Sequence, residues 1–315
     1  MGQRVLETFK RSDVPAELLK SPNLTLLTKD LIVDYFIIIV SMIALFNTHE
    51  YLYPLWIMII AGRFHALGVI LHDLSHLNLK NKSWQFRILE IFSGYPIGTS
   101  ANAMAYHHLR HHRHTLMNQD PYFNINKKCT GFKRFLLTFK KGLFFVPFWI
   151  TRSFVGLFAS FIPGLRTFYA RVFLQDVSGQ NLSRDSEVIS CAKEDIPLAF
   201  CHLLLIFLST RFDFLLYSYY AALPIAGIFC IYRLLIEHEY DIYPNKNVYT
   251  LLESTFDHHT GLWGKFFFGP HKIGHHCMHH IHPNVGLHYL PRLRQWYLQN
   301  CSFYQDSYEE QKFAS

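Results

Sequence analysis

LYPLWIMIIAGRFHALGVILHDLSH, residues 52–76, reads as a membrane-crossing helix that ends in two histidines. From Leu52 to Leu71 only Arg63 and His65 interrupt the apolar run, and about 20 apolar residues are what an α-helix needs to cross a bilayer core. An arginine and a histidine inside such a span are costly against lipid, so both are expected to face the protein interior. The run closes on His72 and His76, whose i,i+4 spacing puts two imidazoles on one helix face.

On the N-terminal side, Leu31 to Phe46 forms another apolar run, broken only by Asp34, and the polar stretch Asn47 to Tyr51 joins the two. The pair is a transmembrane hairpin. A second hairpin comes later, Ile196 to Ser209 and Phe212 to Leu235, with its turn at Thr210-Arg211. Its first arm is short for a span, which places the ends of that arm in the interface. Ile88 to Met104, rich in Gly, Pro and Ser, is expected to be re-entrant or partly buried. Leu143 to Ile162 contains Pro147 and Arg152 and precedes Pro163; it is expected to lie in the interface rather than to cross. The polar stretch Gln175 to Glu194 is expected in the cytosol.

Composition agrees. Half of the 315 residues are hydrophobic and only 17% are charged, against about 25% charged in ordinary soluble domains. No composition break marks a linker, so residues 1–315 are expected to form one membrane-embedded domain. The net charge of +7 is read as membrane topology. Lys10-Arg11, Lys20 and Lys29 precede the first hairpin, and Lys80, Lys82 and Arg87 follow it; Lys127-Lys128, Lys133-Arg134 and Lys140-Lys141 come next. The positive-inside rule puts those ends, both termini and all three histidine runs on the cytoplasmic side. The basic residues form no stripe interleaved with exposed aromatics, so a nucleic-acid partner is not expected. The six cysteines form no CxxC pair and are read as buried free thiols. The N-terminus lacks the pattern of a signal peptide, and Leu6 stands where a myristoylation signal wants Ser or Thr.

Two further histidine runs follow the first: His107-His-Leu-Arg-His-His112 and His275-His-Cys-Met-His-His280. His108, His111 and His112 recur at i, i+3 and i+4, as do His276, His279 and His280. Neutral imidazoles converging from several helices hold metal. A closed structural zinc site uses four ligands, often with Cys. Eight or more imidazoles suit two ions with open positions. Imidazole binds iron, copper, nickel and zinc alike, so the ligand type alone does not choose the metal.

The order H-x-x-x-H, H-x-x-H-H, H-x-x-H-H resembles the integral-membrane fatty acid desaturase and hydroxylase superfamily. The likeness includes Asp73 after the first His, Arg113-His114-Thr115 and Asp120-Pro121 after the second run, and Glu237-His238 after the last apolar segment. It also includes Gly269-Pro-His271 before the third run, then Pro283 and Leu290-Pro-Arg-Leu293. It is strongest over residues 60–295. One departure is His279-His-Ile-His-Pro283, where family members often read His-His-Leu-Phe-Pro. His282 is thus an extra imidazole, as are His107, His114, His258, His259, His271 and His275, all expected to be supporting or surface groups.

The resemblance implies an all-α polytopic membrane fold, with about four transmembrane helices in two hairpins and a cytoplasmic helical cap carrying the histidine boxes. It implies two iron ions held by His72, His76, His108, His111, His112, His276, His279 and His280, with His238 as a ninth ligand. Asp73 and Glu237 are expected to orient imidazoles, and Asp120 to anchor a loop. Dioxygen is then the co-substrate and a lipid or acyl-thioester chain the substrate, in an aromatic-lined tunnel. No His-Pro-Gly-Gly motif and no ferredoxin-type Cys spacing occur, so electrons are expected from a separate ferredoxin or b-type cytochrome. The leading function is fatty-acyl desaturation. Hydroxylation or ketolation of a carotenoid, alkane or sphingolipid is the nearest alternative. A non-catalytic membrane metal-binding protein or transporter is a distant one, because Arg63, His65 and His202 are the only clear ionisable candidates deep within the spans.

Overall fold

The computed structural model describes residues 10–122, 131–238, 242–258 and 261–306. Both termini, Lys127-Lys128, Cys129 and His259 lie outside the described residues. Among the described residues the fold is all-α, with one isolated bridge between His238 and Thr255.

Helix α1 (Leu24–Asn47) starts at Asn23, whose side chain accepts from the Thr25 and Leu26 amides at 2.9 and 3.1 Å. Such a cap satisfies donors that have no partner inside the helix. Helix α2 (Tyr53–Leu74) begins with Pro54 in its first turn, where a missing N–H costs nothing. The two pack as the expected hairpin. On α1, Leu27, Leu31, Asp34, Ile38 and Leu45 are buried against the protein, while Ile32, Phe36, Ile39 and Ile43 face outward. Exposed aliphatic side chains along one helix face suit lipid. Arg63 and His65 point inward, as expected. Arg63 pairs with Asp34 of α1 at 3.0 Å and donates to the Phe266 carbonyl, while His65 Nδ1 lies 2.8 Å from the Phe267 carbonyl.

Helices α3 (Trp84–Gly94) and α4 (Ala101–His114) descend and return, which fits the expectation of a partly buried segment. The turn between them needs Gly98 at φ +76°, a conformation glycine adopts freely. The tip reaches the interior of the bundle: Tyr219 donates to the Pro96 carbonyl at 2.5 Å, and His202 Nε2 lies 2.9 Å from the Tyr95 carbonyl.

Among the described residues four helices are long and apolar enough to cross a membrane: Leu24–Asn47, Glu50–Leu74, Phe139–Phe161 and Leu215–Glu237. The number meets the expectation, but the membership differs. The segment expected in the interface, Leu143 to Ile162, belongs to α5 (Gly131–Phe161), which continues through Pro147. Its arginine is not exposed to lipid, because Arg152 meets Asp195 of α7 (Ser186–Ser209). Ile196 to Ser209 is the apolar half of α7; the other half carries Glu187, Lys193, Glu194 and Asp195, and α7 is not among the four. The turn at Thr210-Arg211 falls where expected, but α7 and α8 each pack mainly against α5 rather than along one another. A π-helical turn, Leu215–Tyr220, leads into α8 (Ala221–Glu237), and the Phe214 ring packs edge-on to Phe46 at the far end of α1. Helix α5 approaches α8 where Gly142 faces Gly227 and Ile228, since small residues let helix backbones come close.

Helix α6 (Pro163–Phe173) packs Tyr169, Ala170 and Phe173 under α4 and α7. A separate apolar core holds α9 (Val248–Ser254), α11 (His276–Ile281) and α12 (Leu290–Asn300) of the helical cap, whereas α10 (Leu262–Phe267) packs Phe267 against the core of the long helices. Leu251, Ile273, Met278, Ile281, Leu293 and Tyr297 form the centre of the cap core.

Candidate metal centre

Four helix ends deliver the nine histidines singled out in the sequence. His72 closes α2 and His76 lies just beyond it; His108, His111 and His112 share one face of α4. His276, His279 and His280 sit on α11, and His238 follows the last residue of α8. The short α11 is placed by Asp257, which accepts the Cys277 amide at 2.8 Å and the Tyr304 hydroxyl at 2.7 Å.

The nine rings form two adjoining clusters. One ring nitrogen from each of His72, His76, His108, His112 and His279 lies within 4.8 Å of all the others, and the same holds for His111, His238 and His280. His276 joins the second cluster, with its Nε2 3.1 Å from that of His238. The clusters touch where the His112 and His280 ring centroids lie 4.5 Å apart. Inside the first, His112 Nε2 lies 2.8 Å from His108 Nε2 and 2.9 Å from His279 Nε2.

Hydrogen bonds cannot account for this crowding. A neutral imidazole has one N–H and one lone pair, so five nitrogens meeting at one point cannot all be satisfied by one another. A cation at the centre accepts every lone pair at once. The tautomers of the second cluster fit that use. The Nδ1 atoms of His111, His238 and His280 face Asp120 Oδ1 at 2.7 Å, the Leu234 carbonyl at 3.2 Å and Thr115 Oγ1 at 3.2 Å. Each Nδ1–H is thereby held outward, and each Nε2 lone pair is turned to the cluster. Burial pushes the pKa of His108, His112, His276, His279 and His280 well below the ordinary imidazole value, and neighbouring imidazoles push the same way. Burial takes His76 down to about 3, and burial with the nearby His111 takes His238 to about 3. These seven rings are therefore neutral at physiological pH, which metal ligation requires. Both clusters can hold a metal ion.

The supporting groups differ partly from expectation. Glu237 is where a ligand-orienting acid belongs: its Oε1 lies 3.0 Å from His258 Nε2 and its Oε2 3.4 Å from His276 Nδ1. Among the described residues Asp73 makes no hydrogen bond to an imidazole; it accepts the Leu287 amide at 3.4 Å and so ties α2 to the cap. Asp120 anchors its loop through the Leu116 and Tyr122 amides, both at 2.8 Å, and also faces His111. Sequence reasoning missed that second role, together with Thr115 and Tyr122. The Tyr122 ring stacks on His111 with centroids 4.4 Å apart, and its hydroxyl meets His107 Nδ1 at 2.5 Å. The only signal for the three was their place directly after the second histidine run.

The described extra histidines, His107, His114, His258, His271, His275 and His282, lie outside the two clusters. His107 supports Tyr122, and His258 supports Glu237. His282 Nε2 meets the Tyr297 hydroxyl at 2.7 Å, and His275 lies 4.0 Å from Asp257. His271 bridges Asp30 and Asp34 of α1 at 3.2 and 2.8 Å. His114 is half-buried at the end of α4.

A cavity of about 470 Å³ opens onto both clusters. His72 and His108 reach it from the first, and His111, His238 and His276 from the second. Phe64, Phe144, Phe145, Phe148 and Trp149 supply much of the remaining wall. Leu116 forms part of it with φ at +58°, a strained backbone for leucine. Strain of this kind persists where surrounding contacts enforce it, and here the Asp120 carboxylate and the Tyr243 amide grip both sides of the residue.

Compared with curated proteins, the chain gives no match. Compared with protein families, residues 51–312 match the family model described as fatty acid desaturase, a match that takes in all nine clustered histidines and the cavity wall, and the chain therefore belongs to the fatty acid desaturase family.

Proposed function

We propose that this protein is a di-iron, dioxygen-dependent desaturase that introduces a double bond into a fatty-acyl chain. Family membership makes it a membrane oxidoreductase of lipids; the metal identity, the reaction outcome and the ligand set are the further reading. The observation that supports it best is an apolar, aromatic-walled cavity that meets five histidines from both clusters.

In this reading the first ion is held by His72, His76, His108, His112 and His279, and the second by His111, His238, His276 and His280. Iron bound there supplies the dioxygen chemistry that takes hydrogen from an unactivated C–H bond. The chain itself does the rest. Aromatic walls bind and straighten an acyl chain and keep water away from the reacting carbon. Asp120, Thr115 and the Leu234 carbonyl hold protons at Nδ1 of three ligands, so that the opposite nitrogens stay available. Tyr122 and Leu116 fix the wall beside His111.

In this reading electrons come from a separate ferredoxin or b-type cytochrome on the cytoplasmic side, a sidedness that the basic loops around the first hairpin support. Hydroxylation is the competing outcome on the same site, and product mass separates the two: loss of two hydrogens against gain of one oxygen. Heterologous expression with lipid profiling, alongside a His111→Ala control and metal analysis of the purified protein, tests the reading. A new unsaturated lipid that vanishes in the control supports it. Active protein without iron overturns it.

A further inference from the structure

Away from the histidines, at the elbow between α5 and α6, an open pocket of about 800 Å³ is lined by Arg166, Thr167, Arg171, Asn181, Ser183 and Arg184, with Pro163 and Gly164 at its edge. We propose that this pocket binds the phosphate of an anionic phospholipid headgroup.

Three independent observations converge there. The first is charge. Arg166 donates to the carbonyls of Ala159, Ser160 and Ser183, and Arg171 to those of Gly179 and Gln180. These contacts hold the guanidiniums in place without neutralising them. Among the described residues no carboxylate forms an ion pair with Arg166, Arg171 or Arg184. Asp185, beside them, is turned away to accept the Val188 amide at 2.9 Å.

The second is the backbone. Helix α6 has eleven residues and no side-chain cap at Ile162. Pro163 carries no N–H and the Leu165 amide already donates to the Ile162 carbonyl at 3.0 Å, so the Gly164 amide is the one first-turn donor left to face the pocket, at the positive end of the helix dipole. A side chain at Gly164 would meet only open space, so an oxygen-bearing group can approach that turn.

The third is position. Phe158, Phe161 and Ile162 at the end of α5, and Phe168 and Val172 along α6, are exposed apolar side chains beside the pocket. In a membrane protein such a face sits against acyl chains, and arginines on the neighbouring face then lie at headgroup depth. A phosphate carrying two acyl tails fits both faces together, whereas a free phosphate fits only one.

Arg184 offers the cleanest test, because it lines the pocket from an exposed position. Purified full-length protein in detergent is titrated with dihexanoyl-phosphatidylglycerol, with dihexanoyl-phosphatidylcholine and with inorganic phosphate, and binding is read by native mass spectrometry and calorimetry. Phosphatidylglycerol is expected to bind most tightly. Arg184→Gln is expected to weaken it about fivefold, Arg171→Gln with Arg184→Gln about twenty-five-fold, and Arg184→Lys much less. Unchanged melting of Arg184→Gln confirms an intact fold; if it falls, the Arg184→Lys comparison carries the test. Equal binding of phosphatidylcholine, binding of inorganic phosphate as tight as that of the lipid, or no loss in the double variant overturns the proposal.

Discussion

Arg152 of α5 and Asp195 of α7 form a two-pronged ion pair, Nε to Oδ2 at 3.1 Å and Nη2 to Oδ1 at 2.8 Å, with both side chains wholly removed from solvent. Thr99 accepts from Nη1 at 2.9 Å, and the Tyr169 hydroxyl donates to Oδ2 at 2.7 Å. The pair thus joins α5, α6, α7 and the tip of the α3–α4 turn. Breaking a buried pair from one side leaves an uncompensated charge, which costs about 3–5 kcal/mol. Arg152→Met is expected to destabilise by that amount, and Arg152→Met with Asp195→Leu by much less. Thermal unfolding in detergent measures both; equal melting of single and double variants would remove the ion pair from the account.

Asp120 serves two purposes that different substitutions separate. Asp120→Asn loses the charge facing His111 and keeps one acceptor oxygen, so of the Leu116 and Tyr122 amides, which bond different oxygens, one loses its partner. Changes to groups that orient metal ligands cost about 10–100-fold in metal affinity or activity. Asp120→Asn is expected to lose that much turnover with a modest loss of stability, about 1–3 kcal/mol for the one amide left unpaired, and Asp120→Ala to lose more stability because both amides are left unpaired. Metal content, lipid product and melting temperature, taken together, check this.

Gly227 faces Gly142 so closely that a methyl group at 227 would run into the Gly142 carbonyl. Gly227→Ala is expected to push α5 from α8, shift Phe144 and Phe145 in the cavity wall, and cost roughly 1–3 kcal/mol. Gly164→Ala, where a methyl meets open space, is the control. Equal melting temperatures for the two variants would argue against close packing at this crossing.

His271 predicts a pH dependence. Burial alone would lower its pKa, but the hydrogen bonds and charges of Asp30 and Asp34 outweigh burial and raise it to about 9. A group bound more tightly to its proton in the folded state contributes fully below its unfolded value of about 6.5 and loses that contribution as pH rises through the folded value. The wild-type protein is therefore expected to lose stability between about pH 6.5 and 9, relative to His271→Gln, whose stability is lower at pH 6 and changes less. Parallel pH–melting curves for the two proteins would contradict the assignment.

The sequence carried the site further than it carried the scaffold. The ligand candidates were legible because i,i+3 and i+4 spacing is a local property, and α2, α4 and α11 keep it. The first hairpin was legible for the same reason. Helix α5, expected to lie in the interface, is also long and apolar enough to cross, and what the sequence hid was the partner of Arg152, Asp195, 43 residues away. Asp73 was misjudged because its partner, Leu287, lies 214 residues downstream. His271 and Asp34, 237 residues apart, were unlinked in the sequence and are in contact in the fold.

The same long reach governs how the chain must be made. Arg63 finds Asp34 within the first hairpin, but its second contact and that of His65 are carbonyls 203 and 202 residues later, at Phe266 and Phe267. At ordinary ribosomal speed that interval lasts roughly 10–40 s. Throughout it the nascent hairpin waits in the insertion machinery with two donors lacking their final acceptors, so a product truncated before Phe266 is a defective span and a ready target for cellular quality control.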